Sequence, residues 1–384
     1  MNYEKVYNSN KQEKLFGRYI TLENIESILL NLNANNQLKT IGYSVQEKPI
    51  FSYTIGSGLN KILIWSQMHG NESTTTKAIF DFLNLLHSNS ELGNFFLNNF
   101  TFCIIPILNP DGAFFYTREN ANQIDLNRDF KDLTQPESKV LMQVFNEFKP
   151  DYCYNMHDQR TIHGIAASGK PATVSFLAPS FNKNCDFNEN RIKAALVIAS
   201  MFKELSELIP GQIGKFDDAF NENCVGDSFQ KLGIPTILFE AGHFHEDYNR
   251  EITRKYIFIS LLISFNFIAN NSFESIKIDD YLNIPQNCSD FYDIICKNVK
   301  VNIDNQEKNI NFALQYKEIL INNKINFVAL IAKNSNIDTH FAHFVFDAKN
   351  ELLINRNIGF PQVDEVANFT IGKNFNIFNG ELLI

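Results

Sequence analysis

The feature that most constrains this sequence is an alternation of apolar, strand-like runs with amphipathic helical segments between residues 61 and 268. Runs without alternate polar residues are typical of strands that are buried on both faces of a sheet. The strand-like runs are 61–67, 100–107, 151–156, 173–178 and 234–240, and the helical segments are 73–88, 136–148, 188–208 and 250–268. The pattern predicts an α/β fold with a mixed, largely parallel central sheet flanked by helices. In such folds ligands bind beyond the carboxyl ends of the strands.

The regions on either side of this alternation differ in character. Residues 20–32 are predicted to form a helix, and residues 41–56 are predicted to form a hairpin of two strands around a charged turn. After about residue 272 the sequence becomes polar and irregular, and short strand-like pieces follow. We therefore predict a large α/β domain over residues 1–272 and a small β-rich C-terminal domain over residues 280–384.

Charge and composition narrow the class of protein. The formal net charge is −9, which disfavours nucleic acid or an anionic membrane surface as a partner. No apolar stretch approaches the roughly 20 residues of a membrane span, and residues 1–16 lack the apolar segment of a secretory leader. We therefore expect a cytoplasmic protein with no nucleic-acid or membrane partner. The six Cys residues are scattered without a CxxC motif, which indicates reduced structural thiols.

The stretch WSQMHGNEST ends the first buried run and carries His69 and Glu72 three residues apart. A helix or tight turn places residues at this spacing on one face. Imidazole nitrogen and carboxylate oxygen are both zinc ligands, at about 2.0–2.2 Å. Gly70 would let the backbone turn sharply between them. The alternative is a helix N-terminus capped by Asn71 or Ser73, with Glu72 in its first turn.

A catalytic zinc site needs a third protein ligand and an open coordination position. The stretch DYCYNMHDQR supplies a candidate, because an apolar run ends there at His157. Asp158 follows and is a candidate partner for the imidazole. A lone His at a strand end usually only packs, but two strands that end in His beside a carboxylate favour a metal site.

A third strand end carries a candidate base. The stretch PTILFEAGHF places Glu240 at the end of an apolar run, where a carboxylate is rarely found without a partner or a function. Next to a metal, such a carboxylate can take a proton from water and deliver it to a leaving amine.

A loop between these strands carries cationic candidates. The segment NPDGAFFYTRENANQIDLNRDF opens with a turn signal and contains Arg118, Asn127 and Arg128. A guanidinium group suits bidentate binding of a carboxylate and stabilisation of an oxyanion. The alternative for either Arg is an ion pair with Glu119, Asp125 or Asp129.

The motifs HGNE, NPDG, DLNRDF, the strand-terminal His157 and FEAGH occur in the order seen in the M14 family of zinc carboxypeptidases, which this sequence resembles. The upstream segment IGYSVQEKPIFSYTIGSG is similar to the strand pair that precedes the HxxE loop in that family. The resemblance covers about residues 18–270. Each motif alone is weak, and their common order makes the resemblance specific.

The resemblance implies one zinc ion per chain and a role for each candidate. The implied zinc ligands are His69, Glu72 and His157. Glu240 would act as general base and then as general acid, and Arg118 would polarise the scissile carbonyl and stabilise the oxyanion. Asn127 and Arg128 would bind the free C-terminal carboxylate of a peptide substrate.

The sequence also departs from the family pattern. Digestive-type members carry a Tyr on a mobile loop upstream of the catalytic Glu, whereas no Tyr lies between Tyr154 and Tyr248 here. The corresponding segment offers Phe216 and Phe220 instead. Three acidic residues near this segment either select a cationic or diaminopimelate-like side chain or are solvated loop charges. They are Asp217, Asp218 and Asp227.

Three functions are open at this point. The first is a zinc metallocarboxypeptidase that acts on a peptide with a free α-carboxylate, such as a bacterial cell-wall peptide. The second is a zinc amidohydrolase of N-acyl amino acids, similar to the aspartoacylase and succinylglutamate desuccinylase branch, for which a β-rich C-terminal part is also typical. The third is a non-catalytic binding protein on the same scaffold. NPDG and the DLNRDF context favour the first.

Overall fold

The computed structural model describes residues 1–32, 37–165, 168–303, 306–334, 337–356 and 362–383. The chain forms two compact units: residues 1–159 with 172–287, and residues 160–171 with 288–384. The boundary predicted from composition lies between residues 272 and 280, and it places the segment 160–171 in the first domain.

Ten α-helices are described in the first unit. In chain order they are α1 (Tyr3–Asn10), α2 (Leu22–Leu32), α3 (Thr74–His87), α4 (Glu91–Asn99), α5 (Pro110–Phe115), α6 (Pro136–Phe148), α7 (Glu189–Leu208), α8 (Val225–Lys231), α9 (Glu251–Ala269) and α10 (Ile278–Leu282). Two short 3₁₀ helices cover Leu126–Arg128 and Ser272–Ser275.

The strands up to residue 288 include one large sheet. In chain order they are β1 (Leu38–Tyr43), β2 (Pro49–Gly56), β3 (Asn60–Ser66), β4 (Phe100–Ile105), β5 (Tyr152–Asp158), β6 (Gly164–Ile165), β7 (Lys170–Pro171), β8 (Val174–Leu177), β9 (Ile213–Lys215), β10 (Thr236–Ala241) and β11 (Asn287–Cys288). Eight of them pair in the order β1-β2-β4-β3-β5-β10-β8-β9.

The eight-stranded sheet is mixed and has a parallel centre. The pairs β4–β3, β3–β5, β5–β10 and β8–β9 are parallel, whereas β1–β2, β2–β4 and β10–β8 are antiparallel. This arrangement, with helices on the sheet, confirms the predicted fold class. Parallel pairing brings the carboxyl ends of β3, β5 and β10 to one edge of the sheet, which is where ligands bind in such folds.

The predicted elements are present with shifts of at most three residues. The hairpin at residues 41–56 is confirmed by the antiparallel pairing of β1 with β2. The turn predicted at NPDG is wrong, because Pro110 is in the first turn of α5 and Asn109 is its N-cap. Proline is well suited to a first helical turn, where its missing N–H costs nothing. The helices α4 and α8 were not predicted from the sequence.

The centre of the large sheet is buried on both faces. In β3, Ile62 and Ile64 belong to one hydrophobic cluster, and Leu63 and Trp65 belong to another on the opposite face. This alternation has the two-residue period of a strand, and both sets of side chains are inaccessible to solvent. Burial on both faces therefore explains why the strands read as continuous apolar runs.

Helix α9 corrects one expectation about length and hydrophobicity. It is long and apolar enough to meet the criteria for a membrane span, and 72% of its most apolar window is buried inside the protein. The prediction that no stretch approaches that length is therefore wrong for this helix. Apolar side chains of α9 face nearly all directions around the helix because α9 packs within the main hydrophobic cluster.

The second unit is rich in β-structure, as predicted. After the β6–β7 hairpin its strands are β12 (Phe291–Ile303), β13 (Gln306–Ile321), β14 (Lys324–Lys333), β15 (Phe341–Asp347), β16 (Leu353–Asn355), β17 (Phe369–Ile371), β18 (Phe375–Phe378) and β19 (Glu381–Leu383). They form two four-stranded sheets, β14-β13-β12-β15 and β16-β17-β18-β19. The unit has its own hydrophobic core, which includes Phe312 and Phe369.

Candidate metal centre

The chain turns sharply after β3 at Gln67 rather than at Gly70. Gln67 has a φ of 44°, in the left-handed region that residues with a side chain seldom adopt. Its buried amide stabilises this turn by donating to the carbonyl oxygens of Ile20 and Gly70, at 3.0 and 2.9 Å. The hydroxyl of Thr76 donates to its side-chain oxygen at 2.8 Å. The turn that presents His69 is therefore held by the side chain of the residue that makes it.

Gly70 is needed for close packing. A Cβ atom at this position would lie 1.9 Å from the backbone carbon of Gly112 in α5. The NPDG motif secures the same contact, because Asn109 accepts a hydrogen bond from the Gly112 amide at 2.8 Å and donates to the Met68 carbonyl at 3.2 Å. The HGNE and NPDG motifs are thus two halves of one packed corner.

Three candidate ligands meet beyond the ends of β3 and β5. The structure brings together one ligand atom each of His69, Glu72 and His157, all within 4.8 Å of one another. The two Nδ1 atoms are 3.1 Å apart, and each lies 2.9 Å from an oxygen of Glu72. All three residues are buried, with exposed fractions of 2%, 8% and 2%.

Glu240 lies beside this cluster because of the strand register. In the parallel pair β5–β10, Glu240 is the direct partner of His157, so the two side chains project from the same face of the sheet. Burial, together with the negative charges of Glu72 and Asp158, raises the pKa of Glu240 well above its usual range. The partly buried carboxyl group is therefore a proton acceptor of greater basicity than an exposed Glu.

Asp125 contacts the candidate ligand His69, whereas the sequence indicated only a possible ion pair between Asp125 and an Arg. Its carboxylate accepts from Nε2 of His69 at 3.0 Å and from Nε of Arg118 at 3.1 Å. Arg118 also donates to Glu72 at 3.2 Å. The ion pair weighed as the alternative for Arg118 is thus present, and it places the guanidinium group against a candidate ligand.

Asn127 and Arg128, in the 3₁₀ helix Leu126–Arg128, contact the N-terminal end of α8. The side-chain oxygen of Asn127 accepts from the Val225 amide at 3.1 Å. The Arg128 guanidinium is exposed, and it donates to the Asn127 carbonyl at 2.8 Å and contacts Cys224 Sγ at 3.1 Å. No described contact joins either residue to the three candidate ligands. Arg128 keeps donors available at the surface.

Asp158 was a candidate partner for an imidazole, but its described hydrogen bonds are to other groups. Its carboxylate accepts from the Thr74 amide at 3.0 Å, at the first turn of α3, and its own amide donates to Glu72 at 3.1 Å. Helix N-termini favour carboxylates because their amides are unpaired. Asp158 therefore connects the end of β5 to α3 and holds Glu72 through its backbone.

The acidic residues near the predicted pocket have different environments. Asp217 is exposed, and Asp218 forms an ion pair with the buried guanidinium of Arg191. Asp227 is buried, and this raises its pKa to about 7. The backbone amide of Phe216 donates to the carbonyl of Phe176. Of the three acidic residues, two are thus more than solvated loop charges.

The charges of the three candidates are strongly interdependent. Burial opposes protonation of His69, but the nearby carboxylates of Glu72 and Asp125 outweigh it and raise the His69 pKa. Burial lowers the pKa of His157, although Glu72 opposes this. For Glu72 the two imidazoles outweigh burial and hold the pKa well below its usual range. The cluster thus holds an ionised carboxylate between two imidazoles.

The donor set fits a zinc ion. Because a carboxylate can only accept, Asp125 requires a proton on Nε2 of His69, and this leaves Nδ1 as the metal-binding atom of the neutral ring. That nitrogen, Nδ1 of His157 and a Glu72 oxygen converge on one point. Two imidazoles and one carboxylate are a common ligand set of catalytic zinc. Nε2 of His157 is buried and has no hydrogen-bond partner among the described residues.

A family of known proteins matches the part of the chain that contains the candidate metal centre. The family model described as zinc carboxypeptidase, of the peptidase M14 family, matches residues 26–162. That range contains all three candidate ligands, as well as Arg118, Asn127 and Arg128. Over this range the chain is similar to the zinc carboxypeptidases of the M14 family.

Relatives of this M14-like chain are similar over part of their length. A probable carboxypeptidase 2 of Arthroderma benhamiae is 29% identical over 101 residues, which are 26% of this chain and 19% of the relative. Carboxypeptidase SOL1 of Arabidopsis thaliana is 29% identical over 154 residues, or 34% of this chain and 31% of the relative. The matched region thus spans about a fifth to a third of these relatives.

Solved structures share the fold of this M14-like chain. A metallo-carboxypeptidase from Burkholderia cenocepacia superposes with a TM-score of 0.52 at 16% identity, over 66% of this chain and 70% of the other. Carboxypeptidase A from Helicoverpa armigera superposes with a TM-score of 0.53 at 14% identity, over 71% of this chain and 80% of the other. These likenesses concern the fold.

Proposed function

We propose that this chain is a zinc-dependent metallocarboxypeptidase that hydrolyses the C-terminal amide bond of a peptide. The observation that carries the proposal is the convergence of His69, Glu72 and His157 at the carboxyl edge of the sheet. Glu240, the strand partner of His157, lies on the same face. A structural metal site would need a fourth protein ligand, and no fourth is found among the described residues. Three ligands are the number that a catalytic site uses.

A bound zinc ion would lower the pKa of a water molecule and polarise the scissile carbonyl. Glu240 would take a proton from the attacking water with a carboxylate oxygen and then deliver it to the leaving nitrogen. Its pKa is raised above that of an exposed Glu. The carboxylate is therefore a better proton acceptor, and the protonated form can still donate the proton. Arg118 places a guanidinium group at the edge of the cluster, where an oxyanion would develop.

The free carboxylate of the substrate would bind Arg128 and Asn127. Arg128 is exposed, its two described contacts are to a carbonyl and a thiol, and no ion pair is described for it. Asn127 has its oxygen committed to the Val225 amide, which directs its side-chain N–H₂ group away from that contact. Together they supply donors for a bidentate contact with a carboxylate.

Metal analysis tests the centre. We expect purified wild-type protein to hold about one zinc per chain and H157A to lose it. His87 serves as a matched control, because its ring contacts Tyr53 and lies outside the three-residue cluster. H87Q should keep its zinc. If the wild type binds no zinc, or if H157A binds as much as H87Q, the metal site is wrong.

Kinetics test the role of Glu240. We expect E240Q to keep its zinc and lose turnover by about 10²- to 10⁴-fold, the range for removal of a general acid–base group. Normal hydrolysis by the zinc-loaded variant would refute this role.

A substrate panel tests the reaction class. The panel contains peptides with free and amidated C-termini, a cell-wall-type peptide with a diaminopimelate residue, and N-acyl amino acids. We expect release of the C-terminal amino acid from free peptides and none from amidated ones. Preferred cleavage of N-acyl amino acids would instead support a deacylase. Zinc binding without any turnover would support a non-catalytic scaffold.

A further inference from the structure

Arg250 is a buried cation that the proposed reaction does not use. It lies at the N-cap of α9, where its φ of 57° is in the left-handed region, and it is 1% exposed. Burial of a guanidinium group is costly unless carbonyls or carboxylates compensate for the lost water. The left-handed backbone and the buried charge are both unfavourable, which indicates that Arg250 has a specific role.

The contacts of Arg250 lie at two strand ends. Its Nη1 donates to the carbonyl of Ala241, directly after Glu240, and its Nη2 donates to the carbonyl of Gln159 at 2.7 Å, two residues after His157. The ladder between β5 and β10 ends with the pair Asp158–Ala241, and the Gln159 amide donates to the Ala241 carbonyl at 2.8 Å. Arg250 therefore joins the two strands at the point where regular pairing stops.

The charge of Arg250 acts on the same place. Asp158 is a buried carboxyl group and Glu240 a partly buried one at these strand ends, and the positive charge of Arg250 interacts with both. Oδ1 of Asp158 is buried without a hydrogen-bond partner among the described residues. Like charges at adjacent strand ends repel each other, so a fixed cation between them favours their close approach.

We propose that Arg250 is a positioning residue, which fixes the separation of Glu240 from His157 by clamping the backbone after each of them. The proposal rests on the proposed function, because it assigns Arg250 to the same reaction. The clamp acts through two carbonyl oxygens, so its loss displaces the base without removing a ligand.

Arg254 provides a matched control one turn further along α9. It is also a fully buried guanidinium, but it pairs with Asp81 and donates to the carbonyls of Leu15 and Gln12. These contacts hold the N-terminal segment against α3 and α9, away from the ends of β5 and β10. A purely structural effect of losing a buried Arg should therefore be alike for both residues.

The test compares R250K with R254K in the zinc-loaded full chain. An ammonium group cannot bridge two carbonyls with the fork geometry of a guanidinium. We expect R250K to keep its zinc and KM while kcat falls by about 100-fold, the cost of a misplacement near 1 Å. R254K should lower the melting temperature and leave kcat unchanged. R250Q, which keeps an N–H donor for one carbonyl, replaces R250K if that variant does not fold.

A second measurement does not depend on turnover. Hydrogen exchange of the Gln159 amide should be faster in R250K than in R254K, because the clamp protects its bond to Ala241. Equal exchange in the two variants, or a wild-type kcat in R250K, would overturn the assignment. If the wild type hydrolyses no peptide, the proposed function fails, and the exchange comparison still decides whether Arg250 clamps the two strands.

Discussion

At the scale of single residues, Asp125 connects the metal candidate His69 to Arg118. We expect D125N to weaken zinc binding by about 10- to 100-fold, because the carboxylate that orients the imidazole loses its charge. Competition with a chelator of known affinity measures this. D129N is the matched control, since Asp129 caps the backbone at Thr134 and Gln135 and does not contact His69. Equal zinc affinity in both variants would contradict the role of Asp125.

The raised pKa of Asp227 predicts that the stability of the protein depends on pH. Burial raises its pKa to about 7 in the folded protein, whereas the carboxyl group ionises near 3.8 when unfolded. Between these values the unfolded state has lost the proton that the folded state keeps, so the free energy of unfolding falls as pH rises from about 4 to 7. The fall is at most about 4 kcal/mol.

We therefore expect D227N to be more stable than the wild type at pH 8 and no more stable at pH 4, as measured by urea unfolding. The exposed D217N serves as control and should match the wild type at both values. A constant difference between D227N and the wild type across this range would show that the proton of Asp227 is not linked to folding.

Residue types at the site were readable from the sequence, but their contacts were not. His69, Glu72 and His157 stand out because each follows an apolar run. Asp125 does not, since its partner His69 is 56 residues away and a loop gives no register. Only strands in register predict a neighbour, as they do for Glu240 and His157.

At the scale of elements, the packing of the HGNE loop on α5 sets the position of the ligands. We expect G70A to destabilise the protein by about 1–3 kcal/mol, the usual cost of overpacking, and to weaken zinc binding. G58A is a matched control, because its Cβ would also lie 1.9 Å from a backbone carbon, that of Asn99. It should lower stability alone. Zinc affinity that falls equally in both would contradict a local effect.

The sequence predicts best the elements that have a continuous apolar run or an amphipathic pattern over several turns. Strands β3, β5 and β10 and helices α3 and α7 are of this kind. Helix α5 has six residues and a Gly, so its N-cap signal read as a turn. A sharp turn was expected at Gly70 because it is a glycine. The left-handed turn is instead at Gln67, a residue type that seldom adopts this conformation, and the side-chain hydrogen bonds of Gln67 stabilise it.

At the scale of the whole molecule, every hydrophobic cluster described lies within a single unit. The candidate metal centre belongs to the first unit. Because a ligand stabilises only the folding unit that binds it, we expect two calorimetric transitions, of which chelation lowers one and leaves the other unchanged. The shift corresponds to about 4 kcal/mol when free zinc is 1,000 times its Kd. A single transition that moves as a whole would contradict independent units.

The order of strands in the large sheet has a consequence for protein synthesis. β1 to β5 occupy one contiguous side of the sheet, and β10 is added beyond β5. The three candidate ligands are therefore translated before Glu240, which leaves the ribosome 83 residues after His157. Since chains fold from the N-terminus as they emerge, a growing polypeptide acquires its metal-binding half before its proton acceptor. On the proposed function, hydrolysis would therefore begin only after β10 has inserted beside β5.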